Sequence, residues 1–309
     1  MWVLFAFVSA TIVGIRDSFK KSSLQGNDVL TVLFLNTLFS ALLFLPFILL
    51  SRYSELFTGS FFYVPTGGLT QHFCSVGKCL LLLGCWLCSY NGIKHLPLTI
   101  SGIIIAFGPV ETVIGAMLLY GESLNVLQWV GVAVSVGSLV AVSMSGKKEG
   151  IDFRHNRYVW VMFLSTLFSA AAALYDKLVM GRPEDGGMGN SVMFIQSWYN
   201  IYQTALLLLI LLYRQRSLRK QGQGAVPFRF VWSIVMVSLC EVSADLLYDA
   251  ALQLPGCMVS ILAMVRRGSV VVSFFIGVLF FHERNLRSKI WDLLLVLLGM
   301  LLLYFGSIE

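Results

Sequence analysis

Apolar runs of about twenty residues, parted by short polar breaks, recur along all 309 residues of the chain. They fall near 1–18, 29–50, 76–93, 98–119, 126–144, 158–178, 191–213, 231–252, 257–280 and 289–306. Each is long enough to cross a ~30 Å hydrocarbon core at ~1.5 Å per helical residue. The runs are continuously apolar and do not alternate, so they predict helices and not barrel strands. The longest connectors, 146–157 and 214–229, and the Gly-rich 182–190, are too short to form a separate domain. The opening Met1-Trp2-Val3-Leu4-Phe5 carries no basic stretch and no cleavage signal, which predicts a retained first span and not a signal peptide.

The connector at 147–157 divides the chain into halves, 1–146 and 158–309, and the halves resemble each other. Ser9-Ala10 followed by Arg16-Asp17 matches Ser169-Ala170 followed by Asp176-Lys177, each 160 residues on. Tyr90 to Pro97 matches Tyr248 to Pro255 at an offset of 158, and Glu122 after Leu118-Leu119-Tyr120-Gly121 matches Glu283 after Leu279-Phe280-Phe281-His282. Five spans per half make the two copies run through the membrane in opposite senses. This inverted-repeat design sets a substrate site near the midplane, between the halves.

Tyr90 to Pro97 and Tyr248 to Pro255 after the third helix of each half, with Gly121-Glu122 and His282-Glu283 ending the fourth, resemble the Tyr-x-Ala-x-x-x-x-Pro turn and the Gly-Glu that recur once per half in the EamA-type ten-helix members of the drug/metabolite transporter superfamily. The resemblance runs over essentially the full chain and rests on the order and doubling of short motifs. It implies an all-α integral membrane protein that is a secondary active transporter, an exporter or exchanger, of a small organic metabolite such as an amino acid or organic anion. No cofactor and no metal are expected. The chain departs from the family at Val265-Arg266-Arg267-Gly268-Ser269, where an apolar stretch with a proline is usual.

Composition excludes a water-soluble domain: 57% of residues are hydrophobic, 12% are charged, and the mean hydropathy is +0.81. The lipid bilayer is therefore the main partner. The net charge of +6 does not argue for nucleic acid, because the basic residues fall in short loops and read as topology. Loops after the odd-numbered spans hold most of them, including Lys20, Lys21, Lys94, Lys147, Lys148, Arg214 and Arg229, against Arg52 and Arg182 opposite. The charge rule then puts both termini outside, whereas the resemblance implies the reverse. Six cysteines in or beside apolar runs read as packing residues, and Cys85-x-x-Cys88 lacks a basic activator for redox chemistry. No phosphate-binding Gly-rich loop occurs, so a gradient is the expected driving force, with protons a candidate. The absence of an Asn-x-Ser/Thr sequon fits a bacterial inner membrane.

Ionisable residues inside spans carry the functional information, since each costs roughly 2.5–3.5 kcal/mol at a helix centre unless paired or hydrated. Glu111, Glu241, Asp245, Arg266 and Arg267 qualify. Glu241, Asp245 and Asp249, four apart, share one face of the eighth span. Asp245 lies ten residues before Pro255 and Arg266 eleven after it, so both sit about 15 Å from that turn and pair naturally. Adjacent Arg266 and Arg267 point about 100° apart, leaving one to meet an anionic group of the solute while Asp245 or Glu241 responds to protons. The alternative is an ion pair that only locks spans eight and nine together.

Glu111, after Pro109, is a candidate cavity residue. Tyr90 and Asn91, with Trp198, Tyr199, Asn200 and Gln203 in the seventh span, complete the candidate contacts; polar groups there equally serve as interhelical bonds. Glu122 and Glu283 read as structural marks at helix ends. Ala133, Gly137 and Ala141 form a small-residue strip for packing within one chain or between two, so monomer and homodimer both stand. Among enzymes, a UbiA-type membrane prenyltransferase needs a second acidic motif, but Leu83, Leu87 and Asn91 occupy the matching positions. A nucleotide-sugar exchanger of the same superfamily needs more cavity cations than one arginine pair.

Overall fold

The structure, a computed structural model, describes residues 2–120, 125–147, 154–220, 228–252, 254, 262, 265–266, 268–281 and 286–306. Its helices are α1 (Trp2–Ser23), α2 (Val29–Tyr53), α3 (Leu69–His95), α4 (Leu98–Ile105), α5 (Gly108–Tyr120), α6 (Val126–Lys147), α7 (Arg157–Met180), α8 (Val192–Lys220), α9 (Ser233–Leu252), α10 (Ser269–Phe281) and α11 (Leu286–Gly306). No strand occurs among the described residues. Five helical stretches are long and apolar enough to cross a membrane: Val29–Tyr53, Leu69–His95, Leu98–Gly115, Arg157–Met180 and Val192–Leu218. The chain is an all-α, multi-pass integral membrane protein.

Burial is reversed relative to a soluble fold. Leu4, Phe7, Leu118, Trp160 and Phe280 stand outward, while Asn36, Thr37, Ser40, Gln196, Asn200 and Gln203 are buried. Lipid is as apolar as leucine, so polar groups gather inside where they find partners. Asn36 shows the pattern: it donates to the Tyr90 hydroxyl at 2.8 Å and accepts from Ser238 at 2.7 Å, joining α2, α3 and α9.

Two expected spans change shape. The expected 98–119 helix is broken at Ala106-Phe107 into α4 and α5. Pro109 in the first turn of α5 has no N–H to offer the preceding turn, and the backbone there tightens to three-residue bonds, Phe107 N–H to Ile104 and Val110 N–H to Phe107. The expected 76–93 span begins earlier, at Leu69, which carries Lys78 deep inside α3.

Helices pair across the 147–157 connector in a pattern that survives exchange of the halves. The first helix of each half packs on the third of the other (α1 on α9, α7 on α3). The second helices pair with each other, as do the last (α2 with α8, α6 with α11). The α3–α7 contact depends on three glycines, Gly77, Gly84 and Gly92, which receive Tyr175, Phe168 and Met162. A Cβ at Gly84 would lie 2.9 Å from the Phe168 ring, closer than real contacts allow. Of the Ala133/Gly137/Ala141 strip, Gly137 meets nothing within 4 Å, and in the α6–α11 contact Ser135 lies against Gly299.

Several cations counted above as loop charges belong to helices. Lys20 is buried within α1. Lys21 donates to the carbonyl of Ile93 at 2.6 Å, at the C-terminal end of α3, and Lys94 to that of Asn27 at 2.6 Å, in the connection between α1 and α2. Arg214 grips Asp28 through both carboxylate oxygens at 2.8 and 2.9 Å, and Asp28 also caps α2 through Thr31. Glu122, Glu283, Lys148 and Pro255 lie outside the described residues.

Burial alone would raise the Asp28 carboxyl, but hydrogen bonds from Arg214 and Thr31 hold it below the ordinary carboxylate value. A depressed carboxylate contributes stability that is present at neutral pH and lost as pH falls through its folded value. Asp28→Asn is therefore expected to lower the thermal unfolding midpoint in detergent at neutral pH, and the gap from wild type should close below about pH 4. Gly84→Leu is expected to abolish a monodisperse peak in size-exclusion chromatography, because α3 and α7 cannot then close.

Candidate functional site: a charged cavity between the halves

A cavity of about 130 Å³ lies where α1, α3, α5, α7, α8 and α9 converge. At roughly 10–15 Å³ of such volume per water, it has room for about ten waters or a small organic molecule. Four cations (Arg16, Lys20, Lys78, Arg266) and four carboxylates (Asp176, Glu241, Asp245, Asp249) line it. Each helix presents one face: Lys78, Leu82, Cys85, Trp86 and Ser89 from α3, and Ser165, Thr166, Ser169, Ala172, Ala173 and Asp176 from α7, at helical spacing.

The charges form three groups. Arg16 Nη1 binds Glu241 at 2.7 Å, its Nη2 binds Asp17 at 2.7 Å, and Lys20 stands 3.9 Å from Asp17. Lys78 lies 2.8 Å from Asp176 and 3.9 Å from Asp249, and the Gln196 amide donates to Asp249. Arg266 donates to Asp245, which the Tyr199 hydroxyl also approaches, at 3.5 Å. The strip of acids on α9 thus meets cations from α1, from α3 and from the segment before α10.

The matched tyrosines play equivalent parts. Lys20 sits over the Tyr90 ring at 4.5 Å and Arg266 over the Tyr248 ring at 4.5 Å. In a site sheltered from water such cation–π contacts supplement the ion pairs.

Of the residues singled out from sequence, Arg266, Glu241, Asp245 and Asp249 line the cavity. Glu111 accepts from the lining Thr166 at 2.8 Å. Tyr90 is fully buried behind Lys20, and Asn91 donates to the Leu87 carbonyl of its own helix at 2.8 Å. Trp198 packs on His72, 4.7 Å between rings. Asn200 donates to the Gln196 carbonyl at 2.8 Å, and Gln203 is fully buried in α8. None of these last five lines the cavity; α8 contributes Gln196 instead. Arg267 lies outside the described residues. Cys74, Cys79, Cys85, Cys88 and Cys240 are unbridged.

Sequence reading passed over Arg16, Lys20, Lys78, Asp176 and Gln196. Arg16 and Lys20 are spaced by four, as the acids of α9 are, which was the available signal. Lys78 falls two residues inside the expected 76–93 span, and the helix itself starts seven residues earlier, at Leu69.

Residues 1–144 match the model of the EamA-like transporter family. The match is consistent with the drug/metabolite transporter superfamily, and the family is one of transporters. Twenty-eight chains of solved structures are similar. One, titled only "Crystal structure of protein", is 13% identical with a TM-score of 0.63, over 98% of this chain and 97% of its own. At that identity the likeness is one of fold. No curated protein matches the sequence.

Removing one partner of a buried ion pair strands the other charge and costs about 3–5 kcal/mol, whereas replacing both with apolar residues is close to neutral. Arg16→Met and Glu241→Leu are each expected to lower stability to denaturant by that order, and the double substitution to recover most of it. A double-mutant cycle on the detergent-purified protein measures this.

Proposed function

We propose that the chain is a secondary active transporter of a small organic solute, working by alternating access around the charged cavity. The observation that carries this reading is a polar cavity lined from both halves, inside a molecule whose outer surface is apolar. A lipid-embedded structural protein gains nothing from eight ionisable groups around water-sized space, since each costs several kcal/mol to keep there. The family match of residues 1–144 and the helix pairing that survives exchange of the halves support two inverted five-helix repeats, 1–146 and 158–309, joined by the basic segment 147–157. In such a design the solute site lies at the midplane and the halves rock around it.

The solute is a metabolite with a carboxylate or comparable anionic group, such as an amino acid or organic acid, exported or exchanged across a bacterial inner membrane. Arg266, seated over Tyr248 and held by Asp245, is the cation placed to meet it. Glu111, behind the lining Thr166 that donates to it, and Arg267 are further candidates. A prenyltransferase reading is not favoured: cations engage the α9 acids, which leaves no open carboxylate pair for a magnesium diphosphate. A nucleotide-sugar exchanger finds more cations here than one arginine pair, but each of the four has a carboxylate within 4 Å.

The test is uptake of a labelled pool of amino acids and small organic acids by proteoliposomes. Arg266→Gln and Asp245→Asn are each expected to cut the initial saturable rate by about tenfold or more, equivalent to ~1.4 kcal/mol, with unchanged folded yield. Full flux in both variants would make the pair a lock between α9 and the segment before α10.

A further inference from the structure

At the end of the cavity bounded by α3, α7, α8 and α9, charge does not balance among the described residues. Lys78 Nζ faces two carboxylates, Asp176 Oδ1 at 2.8 Å and Asp249 Oδ2 at 3.9 Å. All three side chains are buried, Lys78 at 2%, Asp176 at 9% and Asp249 at 1% exposure. Gln196, 1% exposed, gives its amide N–H to Asp249, while its Oε1 accepts no hydrogen bond. The other two groups differ: Arg16 and Lys20 meet Asp17 and Glu241, and Arg266 meets Asp245. Of the remaining neighbours, Tyr199 lies beneath Lys78, 5.1 Å from ring centre to Nζ, Asp245 is one turn from Asp249, and Arg266 acts on Asp176 only at longer range because its own ion pair is with Asp245.

Two ionised carboxylates that share a single ammonium away from water repel each other, and the pair titrates as a unit. A carboxylate also only accepts hydrogen bonds, while Gln196 Oε1 lacks a donor. One added proton supplies the missing positive charge and turns one carboxylate acceptor into a donor.

We propose that Asp176 and Asp249 share one exchangeable proton, and that this pair with Lys78 is where transport is coupled to pH; the coupling half of the proposal rests on the transporter reading above. Lys78 belongs to the first half of the chain, and both acids with Gln196 belong to the second. When the proton arrives, Lys78 is held by one carboxylate in place of two, and the grip between the halves loosens. When it leaves, both carboxylates pull on the ammonium and the grip tightens. Proton binding is thereby converted into a change in how firmly α3 is held to α7 and α9.

The site is tested without any solute, by pH-difference infrared spectroscopy of the full-length protein in nanodiscs, following the carbonyl stretch of a protonated carboxyl. One reversibly titrating band is expected in wild type, lost in Asp176→Asn and in Asp249→Asn, retained in Asp249→Glu and in Glu241→Gln, and displaced to higher pH in Lys78→Gln. A band absent from wild type, one that survives both Asp→Asn changes, or one that responds to sodium in place of pH, overturns the site. Coupling is read separately in proteoliposomes with the labelled amino-acid and organic-acid pool. Asp249→Asn is expected to lose stimulation of flux by a pH gradient while keeping downhill exchange. Wild-type flux that ignores the gradient overturns the coupling and leaves the transporter reading standing. If no member of the pool moves under any condition, the transporter reading fails, and the infrared band still decides the proton site.

Discussion

A carboxylate held in the middle of a membrane needs a cation within a few ångströms, and the rest of this architecture follows from that need. Glu241, Asp245 and Asp249 lie on one face of α9, and no cation on α9 itself can serve them. They are met by Arg16 from α1, Lys78 from α3 and Arg266 from the segment before α10. The requirement therefore fixes which helices may neighbour α9. It also explains why the polar interior is continuous: serines, threonines and amides from α7 and α8 fill the space around the charges, where isolated charges would draw in lipid defects. Packing against that interior is possible because α3 offers glycines where α7 offers rings.

The two halves use the requirement with opposite signs. Arg16 and Asp176 stand 160 residues apart at matching places in α1 and α7. Arg16 looks across to an acid on α9, while Asp176 looks across to a lysine on α3. Equivalent helix contacts thus carry an ion pair with its polarity reversed. The matched tyrosines, Tyr90 and Tyr248, each lie beneath a cation, so the aromatic element was kept with the same sign in both. The two interfaces thus pair matching helices while exchanging which side carries the cation.

Much of the fold was legible in the sequence because lipid imposes a length on every crossing and a sign on every surface. The acid strip on α9 was legible from a spacing of four, and the approach of Arg266 to Asp245 from counting outward to a proline turn. Local periodicity did not reveal Lys78, whose partner Asp176 is 98 residues away, nor Arg16, which looked like a repeat landmark near a helix end. The polar residues of α8 misled for a different reason. Trp198 follows Gln196 by two positions, about 200° round the helix, so it meets His72 while Gln196 meets the cavity. Sequence spacing says which residues share a face, but the neighbouring helix decides which face turns inward.

The separation in sequence between the paired charges bears on how the chain is made. Arg16 is joined to Glu241 across 225 residues, so at ~5–20 residues per second its partner leaves the ribosome roughly 11–45 s later. Lys78 waits a shorter time, roughly 5–20 s, for Asp176, 98 residues on. A first half on its own therefore leaves Lys78 without either of its carboxylates and Arg16 with Asp17 alone.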